Sequence, residues 1–127
     1  ATAARNGVEN RVTVEHAIVG SAIDLRGPTA DAPVLDPSTL PACDVLELDC
    51  EGAEIEIIDG LTVEPPTLVV ESHGMHGSST GAVGATLTPA YSIVDQRIAD
   101  NGERDFCEEN DIYVLVARHR STHHSEE

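Results

Sequence analysis

The segment at residues 44–60 constrains the fold more than any other part of the chain. Residues 45–48 are apolar enough for a buried strand, and residues 52–59 can form a short helix that ends at a glycine. Three carboxylates lie at the junction between strand and helix: Asp49, Glu51 and Glu54. Ligands bind at the carboxyl ends of strands in open α/β sheets, so acids at this junction indicate a functional edge.

The predicted helix has one apolar face. Its apolar residues recur at helical spacing: Ala53, Ile57, Ile58 and Leu61. The intervening acids are therefore expected to face solvent: Glu54, Glu56 and Asp59.

Size and charge limit the class of protein. A chain of 127 residues with 40% hydrophobic residues is sufficient for one domain with a single core. Its 23 acidic and seven basic residues give a net charge of −16, which repels phosphate backbones and anionic membranes. We therefore expect no nucleic-acid partner and no membrane partner. The charge has two explanations: adaptation to a halophilic cytoplasm, or an acidic surface for a cationic partner.

Cysteine usage and hydropathy indicate the compartment. Cys43, Cys50 and Cys107 show no C-x-x-C spacing, which favours a reducing environment over a disulfide scaffold or zinc knuckle. No apolar run has the length of a membrane span, and residues 1–5 show no signal-peptide pattern. A cytoplasmic location is therefore expected.

The first third of the chain contains few regular elements. Residues 1–9 are typical of a helix end with Gly7 as C-cap, and residues 11–15 predict a strand. Residues 21–27 predict a short edge strand. Four prolines in residues 28–41 predict a loop, with one helical turn that has Pro37 at its first position.

The later part of the chain predicts three more strands. The apolar residues 67–71 indicate a strand covered on both faces, followed by a flexible Gly- and Ser-rich loop at 74–80. A short helix is predicted at 81–87, with Thr80 as its cap. Strands at 91–98 and 112–117, joined by an acidic loop at 99–111, are expected to pair antiparallel.

This order of elements predicts an α/β fold. The pattern is that of the later part of a Rossmann-like, doubly wound, mostly parallel sheet with a terminal antiparallel hairpin. Residues 1–117 form the predicted domain, and the polar tail at 118–127 is expected to be disordered.

The acidic junction resembles the hallmark of the FkbM family of S-adenosylmethionine-dependent methyltransferases. In that family a strand ends in Asp-x-Glu-Gly-x-Glu before a helix that closes with glycine. The matching residues here are Asp49-Cys50-Glu51-Gly52-Ala53-Glu54 and Gly60. The next strand is similar to the family strand that ends in Glu with His two residues on, matched by Glu71 and His73.

Two further stretches are similar to the same family. Residues 12–17 resemble the strand whose end lies near the adenine of the cofactor, with His16 and Ala17 at that end. The hairpin at 91–117 fits the last two strands of a class I methyltransferase sheet. The family's Gly-rich turn and ribose-binding acid have no counterpart, so the chain is expected to be a fragment or a natural truncation, comparable to the C-terminal two thirds of a class I domain.

The resemblance implies methyl transfer from S-adenosylmethionine to a hydroxyl of a small molecule or sugar. His16, Ala17 and Asp49 are the expected cofactor-binding residues. Such a transfer needs positioning and a base, roles that carboxylates and imidazole can fill. The expected catalytic residues are therefore Asp49, Glu51, Glu71 and His73, with Glu51 on the acceptor side.

Several alternatives remain open. The acids could simply cap the helix and keep the surface acidic, as in a non-catalytic halophilic α/β module. Asp49, Glu71 and His73, with His76 nearby, could form a metal-dependent site, or His73 could act as a general base. Self-association is expected through an exposed sheet edge.

Overall fold

The computed structural model describes residues 2–20, 32–100 and 102–121. The helices in this part of the chain are α1 (Thr2–Arg5), α2 (Glu54–Gly60), α3 (Thr80–Leu87) and α4 (Arg104–Glu109). The strands are β1 (Ile18–Val19), β2 (Val34–Leu35), β3 (Val45–Leu48), β4 (Thr67–Glu71), β5 (Tyr91–Ile98) and β6 (Tyr113–His119). The predicted edge strand at 21–27 and residues 122–127 of the predicted tail lie outside the described residues.

Four strands form the main sheet, in the order β3-β4-β6-β5. β3 and β4 are parallel, whereas β6 is antiparallel to both of its neighbours. As a result β3, β4 and β5 run in one direction and β6 opposes them. The α/β class and the antiparallel pairing of the last two strands are confirmed. β1 and β2 form a separate two-stranded parallel sheet.

The core lies where α2 and α3 pack together and α3 packs against β5 and β6. Its buried members are Leu48, Ala53, Ile57, Leu68, Val70, Val83, Leu87, Tyr91, Leu115 and Ala117. Along β4 the buried side chains of Leu68 and Val70 alternate with half-buried ones, so the two faces of this strand are not equally covered. All of the core residues except Tyr91 are aliphatic, so aliphatic packing fills most of the core.

The prediction of a strand at residues 11–15 is wrong. Glu9–Arg11 forms a 3-10 turn, and residues 12–17 are not in a strand. Val14 is 86% exposed, so its β-propensity is not supported by packing. The strand begins at Ile18 instead and pairs with Val34–Leu35, inside the segment predicted as a loop.

Two other boundaries differ from prediction. The acidic loop at 99–111 contains α4, which buries Cys107 and packs against β5. Strand β6 continues to His119, so the first residues of the predicted tail belong to the sheet. There Arg118 is paired with Thr67 on one side and Ser92 on the other.

The predicted helical turn at Pro37 is confirmed as a 3-10 turn, Pro37–Thr39, in which the Asp36 side chain accepts the Ser38 N–H at 2.9 Å. Helix α3 begins at Thr80, one residue earlier than predicted, so its cap is Ser79 rather than Thr80. The Ser79 hydroxyl accepts the Ala82 N–H at 3.1 Å.

Within residues 2–20, 32–100 and 102–121, no helix has both the length and the apolar character needed to cross a membrane.

Candidate functional site

Two parallel strands, β3 and β4, place the candidate residues at one edge of the sheet. Leu48 of β3 is paired with Val70 of β4, so the residues that follow these strands emerge side by side. Asp49 follows β3, Glu71 ends β4, and His73 comes two residues later. The two strand ends whose residues carry the resemblance therefore lie next to each other.

Glu54 lies at the centre of this edge and is completely buried. Its Oε1 accepts the Cys50 N–H at 2.8 Å, and its Oε2 accepts the Gly52 N–H at 3.0 Å. Nδ1 of His73 lies 2.8 Å from Oε1. The expectation that Glu54 faces solvent is wrong, because its carboxylate satisfies three polar groups that are turned inward.

The backbone of the turn explains why an acceptor is needed there. Glu51 has φ of 54° and Gly52 has φ of 115°, which bring the N–H groups of Cys50 and Gly52 toward one carboxylate. A Cβ at position 52 would lie 2.8 Å from both Cβ and the carbonyl oxygen of His76. Glycine at position 52 therefore lets the turn lie directly against the loop that carries His76.

His73 is 4% exposed, and its two ring nitrogens have different surroundings. A carboxylate can only accept a hydrogen bond, so Nδ1 carries the proton that is donated to Glu54. In the neutral ring the lone pair is then on Nε2. That atom lies 3.4 Å from Oδ1 of Asp49 and 3.7 Å from Oε1 of Glu71.

The loop that holds His73 is fixed by its own backbone. His73 and Ser78 form an isolated antiparallel bridge, with N···O distances of 2.8 and 3.1 Å. Between them Gly74–His76 makes a 3-10 turn. The Ser78 hydroxyl donates to the Gly52 carbonyl at 2.9 Å, which ties this loop to the Glu51 turn.

A second network fixes the start of α3. Asp111 Oδ1 accepts the Thr80 hydroxyl at 2.7 Å, and Oδ2 accepts the Thr80 N–H at 2.9 Å. The Thr80 and Ser72 hydroxyl oxygens are 2.7 Å apart. Ser72 precedes His73, so this network holds the backbone from which the imidazole projects.

Crowded negative charge marks the site. Burial, together with the charge of Asp49, raises the pKa of Glu71, an effect that His73 partly offsets. Burial raises the pKa of Cys50 to about 11, with the charge of Glu54 adding to the shift. Cys50 is therefore a thiol at neutral pH and a poor nucleophile.

Three side chains could hold a metal ion. Asp49, Glu51 and His73 each offer one ligand atom, and these atoms all lie within 4.8 Å of one another. The two carboxylates are exposed and the histidine is buried. Oε2 of Glu51 is also 3.6 Å from Nε2 of His76.

A cleft of about 270 Å³ adjoins these groups. Its lining consists of Ala17, Ile18, Val19, Asp49, Cys50, Glu51, Ala53 and Ile57. Three of the predicted site residues, Ala17, Asp49 and Glu51, are thus brought together. His16 is exposed and is not a lining residue, whereas Glu71 and His73 adjoin the cleft through Asp49.

Sequence reasoning missed the supporting residues of the site. For Glu54 a signal was present: the Gly-containing turn before α2 has no Ser, Thr, Asn or Asp at the cap position, so its N–H groups need another acceptor. For Ser72, Thr80 and Asp111 no local signal exists. Asp111 contacts Thr80 and Ser72, which lie 31 and 39 positions away from it in the chain.

Fold and site together define a mixed α/β domain in which a buried histidine faces carboxylates at the edge of the sheet. No family model, curated protein or solved structure matches this chain. Function is therefore assigned from the geometry of the site and from the residues that carry the resemblance.

Proposed function

We propose that this chain forms the acceptor-side part of an S-adenosylmethionine-dependent methyltransferase of FkbM type, which methylates a hydroxyl of a small molecule or sugar. The observation that carries the proposal is the cleft beside His73. Its lining includes Ala17, Asp49 and Glu51. These are residues to which the resemblance assigns contacts with donor and acceptor.

The lining of the cleft fits part of such a donor. Ala17, Ile18 and Val19 offer apolar surface suited to a flat heterocycle, and Asp49 and Glu51 offer negative charge suited to a sulfonium cation. When bound, the donor supplies an electrophilic methyl group. The family's Gly-rich donor-binding turn has no counterpart in the sequence, so Ala17 and Asp49 are the contacts that we assign to the donor.

The chain's own residues account for acceptor binding. Asp49 and Glu51 line the cleft, are exposed and can accept hydrogen bonds from hydroxyl groups. Glu71 and His73 lie directly behind Asp49 and add further proton-accepting groups. Holding a hydroxyl among these groups aligns it and provides a route for its proton.

The surroundings of the site are consistent with a role that does not involve phosphate recognition. Glu54 and Glu56 occupy the first turn of α2, where a bound phosphate would otherwise interact with free N–H groups. The arrangement of β3, β4, β5 and the inserted β6 supports assignment to the closing half of a Rossmann-like sheet. We further place the protein in a halophilic cytoplasm, which its charge of −16 and its free cysteines favour.

Binding of S-adenosylhomocysteine tests the donor part of the proposal. Amide NMR spectra of the chain, recorded in molar salt during titration, should show perturbations confined to residues 17–19 and 49–53. Asp49→Asn should weaken binding about tenfold, the loss expected for one charge-assisted contact. Asp59→Asn, which removes an exposed charge on α2, should leave binding unchanged. An absence of perturbations would reject donor binding and favour a non-catalytic module.

Methyl transfer tests the acceptor part. The chain is incubated with donor carrying a labelled methyl group and with a panel of sugars and hydroxylated small molecules. Incorporation that is lost in His73→Gln and kept in Asp59→Asn supports the assignment. Incorporation that His73→Gln leaves unchanged would exclude a role for His73 in the transfer.

A further inference from the structure

We propose that Asp49, Glu51 and His73 bind a divalent transition-metal cation, with Glu54 as the residue that orients the histidine. This inference goes beyond the proposed methyl transfer, since it requires neither donor nor acceptor. It combines a buried imidazole, two exposed carboxylates and a buried carboxylate behind the ring.

The first argument is the direction of the Nε2 lone pair. Because Nδ1 donates its proton to Glu54, the neutral ring presents an acceptor at Nε2. The nearest partners of Nε2 among the described side chains are also acceptors, Oδ1 of Asp49 at 3.4 Å and Oε1 of Glu71 at 3.7 Å. Acceptors that converge in this way repel one another unless a positive charge lies between them. A second ring proton or a bound cation can supply that charge, and the NMR signal of a proton on Nε2 distinguishes the two.

The second argument is that the ring is held in place from behind. A histidine that ligates a metal typically donates its other N–H to a carboxylate, which fixes both tautomer and orientation. Glu54 provides this contact at 2.8 Å and is itself held by the N–H groups of Cys50 and Gly52. Both Glu54 and His73 are buried, which distinguishes this site from a cluster of surface acids.

The third argument is the distance between the candidate ligand atoms. Ligand atoms around a tetrahedral zinc ion, bound at 2.0–2.1 Å, are about 3.3 Å apart. The three candidate atoms lie within 4.8 Å of one another, so closure requires small movements. Asp49 and Glu51 have side chains that are 57% and 59% exposed and can make those movements, while His73 remains the fixed ligand.

The ligand set indicates the type of cation. One imidazole with two carboxylates suits Zn²⁺, Co²⁺ or Mn²⁺, whereas Mg²⁺ and Ca²⁺ prefer oxygen-only sites. We therefore expect Zn²⁺ to bind more tightly than Mg²⁺.

Calorimetric titration with ZnCl₂ and with MgCl₂ tests the site. Molar NaCl in the buffer suppresses diffuse binding to the acidic surface. The wild-type chain should bind one Zn²⁺, and His73→Gln should weaken binding at least tenfold. Glu54→Gln, a positioning variant, should weaken it about 10- to 100-fold. Glu108→Gln removes an equal charge from α4, at a residue that is not among the three candidate ligands, and should have no effect.

Co²⁺ provides a readout that a structural role alone would not change. Visible absorption bands of a low-coordinate Co²⁺ site should appear with the wild-type chain and be absent with His73→Gln. Circular dichroism establishes which variants are folded. If Glu54→Gln does not fold, Asp49→Asn and His73→Gln decide the question.

Three results would overturn the metal proposal. Equal Zn²⁺ affinity of His73→Gln and wild type would identify diffuse binding to acids. Equal losses in Glu108→Gln and Glu51→Gln would do the same. An NMR proton signal on Nε2 of His73 that Zn²⁺ does not displace would show that a second proton balances the charge. None of these results would affect the S-adenosylhomocysteine titration, so the two proposals can fail separately.

Discussion

Nδ1 of His73 lies 2.8 Å from Oε1 of Glu54, although the two residues are 19 positions apart in the chain. The contact joins the loop after β4 to the first turn of α2. The same carboxylate accepts two backbone N–H groups from the turn after β3. One buried side chain thus connects the three segments that form the candidate site.

Replacing Glu54 with glutamine should destabilise the fold. In either orientation the amide NH₂ group would face a backbone N–H of the turn, Cys50 or Gly52, and in one of them also the imidazole N–H. At least one buried donor therefore loses its acceptor. We expect a loss of about 2–3 kcal/mol in the free energy of unfolding. Urea denaturation in constant salt measures it. Asp59→Asn, on the exposed side of α2, should change stability by less than about 0.5 kcal/mol. Equal effects of the two variants would contradict the role of Glu54.

Replacing Gly52 with alanine should cost more than replacing Gly77. Both glycines have positive φ, 115° and 90°, so both substitutions strain the backbone. Only at position 52 would the new Cβ meet other atoms, at 2.8 Å from Cβ and the carbonyl oxygen of His76. We expect an additional loss of about 1–3 kcal/mol for Gly52→Ala, as for other overpacked positions. Urea denaturation of both variants tests this, and equal losses would show that the close contact is relieved without cost.

The Tyr91 hydroxyl should make stability depend on alkaline pH. It donates to the Pro65 carbonyl at 2.8 Å, and burial, with the charges of Glu64 and Cys43, raises its pKa above 10.0. A raised folded pKa means that the contribution is complete below pH 10 and is lost as pH rises through the folded value.

Tyr91→Phe provides the test of that dependence. At pH 8 the variant should be about 1 kcal/mol less stable than wild type. Above pH 10 this difference should shrink, because the ionised tyrosine no longer donates. Tyr113→Phe, which alters the other tyrosine of the chain, serves as the control. A Tyr91→Phe difference that stays constant from pH 8 to 11 would exclude the proposed titration.

Salt should stabilise the protein. With 23 acidic and seven basic residues, the folded surface repels itself, and ions screen that repulsion. The urea midpoint should rise when KCl is increased from about 0.1 M to about 1 M, over which the screening length falls from about 10 Å to about 3 Å. Sucrose at equal osmolality controls for solvent exclusion. A midpoint that KCl does not raise beyond the effect of sucrose would argue against salt adaptation.

The strands of the main sheet were predictable because burial selects their composition. Residues 67–71 are apolar and strongly β-forming, and they form β4 with its predicted bounds. Val12 and Val14 have the same intrinsic preference but are exposed and unpaired in the described sheets. Propensity alone does not create a strand, since its backbone groups also need a partner.

The supporting residues of the site were less predictable. A helical pattern assigns charged residues to the solvent side, which is correct for Asp59 and wrong for Glu54. Glu54 is buried because three polar groups donate hydrogen bonds to its carboxylate, and one of these groups belongs to His73. These donors come together only after distant segments of the chain have packed. Local patterns therefore identified the edge of the sheet but not the contacts that hold it.

The position of β6 has a consequence for synthesis on the ribosome. This strand is the last of the described strands in the sequence, yet it lies between β4 and β5 in space. Until Tyr113–His119 has left the exit tunnel, the edge of β4 and the edge of β5 that face β6 both have unpaired backbone groups. A nascent chain that pauses after β5 would present two unpaired strand edges at once, and both become paired when a single segment of seven residues arrives.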